Sequence, residues 1–233
     1  MRRLPQPLPI ERRSADPIGP ADPAWLARAG ATTPRRIPGG ARLWVAGQPA
    51  DHFALIERGV VQVEHTTPAG NGVILGLFGP ADSIGLPSVL GRGPHTADAI
   101  ALTDPVEILR IGAAPMLDAL PGSAPLAIAV NHALLRHASI LRSKIDIVSA
   151  GSVPRRLAAL FVHLARRFGH ATGHGSIRIE PGLTREQISQ FVGARAETVI
   201  RIVSRWQKAG WLASGRDGIE IARFDMLRRI HGR

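Results

Sequence analysis

Apolar positions along this chain change their period twice. From about Gly39 to Ile111 they come in short runs, Leu43–Val45, Phe53–Ile56, Val60–Val63, Val73–Phe78 and Val106–Ile111, with turn residues at 68–72, Gly79-Pro80 and Gly91–Pro94 between them. Short apolar runs at close, regular spacing predict the strands of a β-sandwich or barrel. Between Pro121 and Ile147 the spacing becomes helical, with Ala127, Asn131, Leu134, Ala138, Leu141, Ile145 and Val148 alternating steps of four and three. That is the seam of a coiled coil with Asn131 setting its register, or the stripe of an amphipathic helix lying on its own β-domain. Ser149–Ser152 interrupts the stripe and predicts a hinge.

Beyond the hinge, Ser152 is a candidate cap for a helix whose first turn contains Pro154, a position where proline is tolerated. Leu157, Leu160, Phe161 and Leu164 form its apolar face. Gly169–Ser176 reads as a loop and Ile177–Ile179 as a short strand. Two short helices follow. Thr184 and Gln187 have the spacing of a capping box, and Ile188, Phe191 and Val192 make the buried stripe of the first helix. Gly193 supplies the sharp turn. The second helix runs to about Ala209, with Val199, Ile202, Val203 and Trp206 on its inner face and Gly210 where a C-terminal cap belongs. Trp211–Ile221 reads as a hairpin with Gly215–Gly218 at its tip, and Phe224–Ile230 as a closing helix. The pattern is a winged helix-turn-helix.

The outer face of the second helix carries Arg195, Glu197, Thr198 and Arg201, with Arg205 and Lys208 further along. In helix-turn-helix docking the first turns of this helix enter the major groove. There an arginine donates two hydrogen bonds to guanine, and a glutamate accepts from the cytosine amino group. Glu197 and Arg201 share a face, so they can read neighbouring base pairs; the alternative is an i,i+4 surface ion pair. Arg216 on the wing reads as a phosphate contact or as a solvated turn residue.

Charge follows the same division. Residues 151–233 hold 15 Lys+Arg against 6 Asp+Glu, or +9 of the net +11, while residues 1–150 hold 14 against 12. Basic charge gathered around the two short helices points to a polyanionic partner. No apolar run has the length of a membrane span, and Met1–Ile10 lacks the apolar core of a signal peptide, so a cytoplasmic protein with no membrane partner is expected. The absence of cysteine excludes disulfides and cysteine-ligated iron–sulfur clusters.

The run Thr184–Ile202, with Thr184-Arg185, Ile188, Val192-Gly193, Glu197-Thr198-Val199 and Arg201-Ile202, resembles the DNA-binding helices of the Crp/Fnr family of bacterial transcription regulators. Gly47–Val63 resembles the opening of that family's cyclic-nucleotide-binding β-roll, and Ser83-Ile84-Gly85 the start of its phosphate-binding cassette. The resemblance implies an α+β chain in four parts. These are an N-terminal arm (1–20), an effector-sensing, jelly-roll-like β-roll (21–120), a long dimerisation helix (121–150) and a winged helix-turn-helix (151–233). It implies phosphate contacts at Thr184 and Arg185, base reading by Glu197 and Arg201, a homodimer on a palindromic site with TGA-like half-sites, and RNA polymerase as a partner. Ala196 stands where cyclic-AMP-responsive members place a further base-reading arginine, so the outer bases of the site should differ.

The cassette departs from the nucleotide binders. Leu86-Pro87 replace the glutamate for the ribose hydroxyl, and His95-Thr96 replace the Arg-Ser that meets the cyclic phosphate. A buried phosphate without its arginine loses a strong charge-assisted pair. The pocket at Ile84, Gly85, Leu86, His95 and Thr96 is therefore expected to take an unknown effector other than cyclic AMP, or to be vestigial. Two alternatives remain. A haem-based gas sensor of the same fold would draw an axial ligand from His52, His95, His132 or His137. A metal-dependent β-barrel enzyme would need converging ligands, and the chain has no His-x-His; His170 and His174 have helical metal spacing but flank Gly173 in a glycine-rich stretch.

Overall fold

In the computed structural model, strands β1 (Arg35–Ile37), β2 (Arg42–Trp44), β3 (His52–Arg58), β4 (Val61–Thr66), β5 (Gly72–Phe78), β6 (Ser83–Ile84), β7 (Asp98–Ala101) and β8 (Val106–Gly112) form two four-stranded antiparallel sheets. Their orders are β1-β8-β3-β6 and β2-β7-β4-β5. A short helix α1 (Leu86–Leu90) leaves β6, and α2 (Ala113–Ala119), a 3-10 turn (Leu120–Gly122) and the long helix α3 (Ala124–Val148) follow β8. The structure describes residues 34–67, 70, 72–172, 175–215 and 218–232. The N-terminal arm, His174 and Arg216 lie outside them.

The unbroken apolar run of β3 has a physical cause, because both faces of the strand are covered. Phe53 and Leu55 join a cluster with Leu126, Ala129, Val130 and Ala133 of α3. Ala54 and Ile56 point the other way, into the cluster between the sheets with Val61, Phe78, Val106 and Ile108. Strands β1, β6 and β7 were not legible in the apolar pattern. β1 is Arg-Arg-Ile, β6 is two residues long, and the apolar contribution of β7 is Ala99, Ile100 and Ala101, a small-residue signal that pairing with β2 and β4 overrides.

Helix α3 packs on its own β-unit, as the amphipathic-helix reading expects. Leu126, Ala129, Val130, Ala133, Ile140 and Ile147 are buried on its own unit. Packing there is close: a Cβ on Gly76 of β5 would stand 2.7 Å from Cγ2 of Ile140. Arg136 pairs with the buried carboxylate of Asp82 at 3.3 Å. The opposite side leaves Ile128, Leu135 and Ile145 between 55% and 61% exposed, beside exposed Asn131 and Ala138. Of the remaining seam residues, Leu134 and Leu141 are half-buried against the β-unit, and Ala127 and Val148 are half-buried.

The chain divides into two compact units between Val148 and Ser149. The second is built from α4 (Val153–Phe168), β9 (Gly169–Ala171), β10 (Ile177–Ile179), α5 (Arg185–Val192), α6 (Ala196–Lys208), β11 (Leu212–Gly215), β12 (Gly218–Ile221) and α7 (Phe224–His231). The sheet order is β11-β12-β10-β9. Two expectations need correction. Ser152 occupies the N-cap position of α4, but its side chain makes no capping hydrogen bond. Gly169–Ser176 is not wholly loop, because its first three residues form β9 against β10. Glycine makes that abrupt passage from helix to strand possible: a Cβ on Gly169 would lie 2.2 Å from the carbonyl oxygen of Ala165.

Candidate nucleic-acid interface and core cavity

The reciprocal capping box starts α5. Oγ1 of Thr184 accepts from the Gln187 amide at 3.1 Å, and Oε1 of Gln187 accepts from the Thr184 amide at 2.9 Å. The hydroxyl proton of exposed Thr184 stays available to an outside acceptor. Gly193 takes the left-handed conformation at φ 63°, and the Ala194 amide donates to the carbonyl of Ser189, closing the helix. α6 ends in the same manner, with Trp211 N–H to the Trp206 carbonyl, Gly210 N–H to the Gln207 carbonyl, and Gly210 at φ 69°. Val199, Val203 and Trp206 are buried and Ile202 half-buried, so the helix is fixed by its inner face. Trp206 packs edgewise on Phe161 of α4 and stacks with Trp211.

What remains outside on α6 is the predicted reading face. Arg195, Glu197, Arg201, Arg205 and Lys208 are exposed and Thr198 is half-buried. Among the described residues, no ion pair joins Glu197 to Arg201, so both side chains remain available to a ligand. Sequence patterning missed Ile200, which is 46% exposed between these two residues. It breaks the inner-face periodicity, and that is the signal that could have found it.

Arg185 is less free than its motif suggests. Its Nη2 donates to Oε1 of Gln207 on α6 at 3.0 Å and to Oγ of Ser214 on β11 at 2.9 Å, while Gln207 Nε2 donates to the same Oγ at 3.2 Å. Partial burial lowers its pKa from the ordinary arginine value. The side chain thus ties three elements together and retains Nε and Nη1 for other contacts. Neither Gln207 nor Ser214 stood out in the sequence.

The β-unit holds a cavity of about 160 Å³ beside β6 and α1. Ile84, Gly85, His95 and Thr96 line it, as expected; Leu86 does not, because its apolar side chain turns into the core beside Phe53 and Val89. His95 stacks on Trp44 with ring centroids 4.2 Å apart and meets His52 edge-on at 5.8 Å. Burial, with the neighbouring His52 acting the same way and Asp51 opposing, lowers the His95 pKa to about 4. His137 and Leu141 of α3 complete one wall, and burial also lowers the His137 pKa. His132 lies elsewhere on α3, and His170 is exposed on β9. Among the described residues, no three His, Cys, Asp or Glu side chains are grouped to hold a metal ion.

Comparison with known proteins covers both units. Residues 34–121 match the cyclic nucleotide-binding domain model, and residues 155–230 match the Crp-like helix-turn-helix domain model. The chain is 28% identical over 179 residues to the CRP-like cAMP-activated global transcriptional regulator of Mycobacterium tuberculosis, covering 77% of this chain and 79% of that protein. It is 28% identical over 196 residues to the fumarate and nitrate reduction regulatory protein of Escherichia coli K12, covering 83% and 76%. Among solved structures, a CRP-family transcriptional regulator of Thermus thermophilus shares the fold with a TM-score of 0.73 at 19% identity, over 85% of this chain and 97% of that one. FixK2 of Bradyrhizobium japonicum does so with a TM-score of 0.71 at 19% identity, over 86% and 96%.

Proposed function

The chain belongs to the Crp/Fnr family of transcription regulators, and from that premise we propose that it binds a palindromic operator as a homodimer in the cytoplasm. One observation carries the reading: Glu197 and Arg201 stand exposed, one turn apart, on a helix whose other face is locked into its own domain. Side chains of this kind on a helix held in place discriminate base pairs by about 1–3 kcal/mol each. Thr184, Arg205 and Lys208 flank them as phosphate contacts, and Arg195 and Thr198 border the groove at the start of α6. Dimerisation would use the exposed side of α3, since a major-groove reader of this class addresses two half-sites about one helical turn apart. RNA polymerase is the expected protein partner of such a regulator on its promoter.

The family's cyclic nucleotide does not suit the cavity. Among the described residues its lining contains neither lysine nor arginine, the histidine at the phosphate position is neutral at physiological pH, and Leu86 at the ribose position faces the core. A cyclic phosphate buried there would keep its charge unpaired. We therefore assign the β-unit an effector other than cyclic AMP.

Selection of bound duplexes from a random library tests the reading. The expected product is a palindrome, with Glu197→Ala or Arg201→Ala relaxing preference at single positions. Arg205→Ala and Lys208→Ala should instead weaken binding to all sequences. Unchanged base preference in both Glu197→Ala and Arg201→Ala would remove the role given to α6.

A further inference from the structure

We infer that a groove on the β-unit, between the β2–β3 loop, the loop after α1 and the first turn of α2, is the seat of this chain's own segment Asp22–Arg28, with Trp25 and Leu26 covering its apolar wall. The inference goes beyond the regulator reading and does not depend on it.

The groove has a volume of about 560 Å³. Pro49, Ala50, Val89, Pro94, Ala114 and Leu117 give it an apolar wall, and Asp51 and Arg92 are its charged groups. Apolar surface rimmed by charge suits a segment that is apolar in the middle and charged at its ends. Arg92 is exposed and makes no ion pair among the described residues, whereas Asp51 already faces His52 and Arg110.

Chain direction supplies the occupant. β1 runs antiparallel to β8, with Arg35 opposite Ile108 and Ile37 opposite Val106. The chain preceding Arg35 therefore enters β1 from the end of β8 that carries Gly112, and Gly112 leads into Ala113, Ala114 and Leu117 of the groove. On the other side of β8, Gly112 stands opposite His52, the neighbour of Asp51. From Ile108 to Gly112 is about 13 Å at the rise of a strand. Trp25 precedes Pro34 by nine residues, a reach of about 30 Å. The segment spans that distance with chain to spare.

Composition fits the same seat. Within positions 1–33, Trp25-Leu26 is the one pair of adjacent large apolar residues. Tryptophan is the side chain that most often anchors a contact surface. Asp22 stands three residues before Trp25 and Arg28 three after it. Arg28 is nearer to β1 and meets Asp51 beside Gly112, while Asp22, farther back along the chain, meets Arg92. The order of the charges along the segment thus agrees with the direction of entry. Tethering sets the effective concentration of the segment at about the millimolar level, so modest contacts suffice to hold it. Any other molecule using this groove has to displace it.

Trypsin and engineered cysteines test this on the full chain. In the unaltered protein, cleavage after Arg28 should be about tenfold or more slower than after Arg13, because a seated segment must first open, and Trp25→Ser should bring the two rates together. The chain contains no cysteine, so Ala27→Cys combined with Ala114→Cys makes a pair without competing thiols. Oxidation should link that pair within one chain about tenfold or more faster than Ala27→Cys combined with Thr66→Cys on β4, since only the first pair is held together. If the cysteine variants do not fold, the trypsin comparison still decides. Equal cleavage after Arg28 and Arg13, or equal linking of the two pairs, overturns the inference. So do links formed only between chains, which would give the groove to a second copy.

Discussion

Nη1 of Arg156 lies 3.2 Å from the carbonyl oxygen of Gly193, so a guanidinium from α4 closes the turn between the two helices of the reading motif. The same nitrogen donates to the Val192 carbonyl at 3.3 Å, and Nε donates to the Gly151 carbonyl at 2.8 Å. Carbonyls at a helix end lack internal partners, and a cation there also complements the helix dipole. Arg156→Ala should destabilise the DNA-binding unit by about 1–2 kcal/mol, with Arg156→Lys recovering only part because a single ammonium cannot span the three acceptors. Urea denaturation of the full chain measures this, and an unchanged midpoint in Arg156→Ala would show that the clasp adds nothing.

Arg185 joins α5 to Gln207 and Ser214, which makes its geometry matter as much as its charge. Arg185→Lys should therefore lose nearly as much DNA affinity as Arg185→Ala. Gln207→Leu removes no charge, so it should weaken binding while leaving the salt dependence intact. Arg205→Ala should instead flatten the slope of log K against log salt by about 1. Fluorescence anisotropy across a salt series distinguishes the three.

Ile200 projects from the face proposed to read bases, 46% exposed. An apolar side chain in the major groove meets the thymine methyl group. Ile200→Ser should cost about 1 kcal/mol, roughly fivefold, on operators with thymine at the contacted step and little on others. Equal losses across a panel of substituted operators would place Ile200 outside the interface.

The seam of α3 makes its own prediction. Ile145 is 61% exposed, so Ile145→Glu should leave the isolated chain's stability nearly unchanged. Buried in a seam between two chains, the same carboxylate is severely unfavourable. Sedimentation velocity should show dimer giving way to monomer, accompanied by weakened binding to a palindrome. A variant that sediments as the unaltered protein would exclude this face from dimerisation.

Acid should destabilise both units. His95 in the β-unit and His163 on α4 have pKa values lowered to about 4 by burial, with Arg167 and Arg166 adding to the effect at His163. In each case the unfolded chain binds the proton more readily than the folded one. Stability is therefore complete above the ordinary histidine pKa and falls as pH drops from about 6.5 towards 4, by up to about 1.4 kcal/mol per pH unit for each group. His95→Phe should remove its share of that slope. Denaturant midpoints between pH 4 and 7 test it, and a flat profile in the unaltered protein would contradict the assignment.

Local rules set the elements that were legible in the sequence. The capping box at Thr184 and Gln187, the turn at Gly193 and the inner stripe of α6 depend on residues within a few positions of one another, so spacing alone identifies the winged helix-turn-helix. The long apolar runs of β3 and β5 were visible for a similar reason, because burial demands continuous hydrophobicity whatever the strand pairs with. β7 and β9 were not visible. Alanines and a helix-terminal glycine become strand only when partners distant in the chain offer their hydrogen bonds.

By itself the sequence determined where charge collects, which helix turns outward and which family supplies the plan. Tertiary structure alone decided that Arg185 is held by Gln207 and Ser214, that Arg156 closes the reading turn, and that Leu86 leaves the cavity while His95 enters it without a partner among the described residues. The difference is one of range. Helical periodicity and capping act over a few residues, whereas a hydrogen bond between residues 29 apart in the chain, or the stacking of His95 on Trp44, exists only after the fold has brought them together.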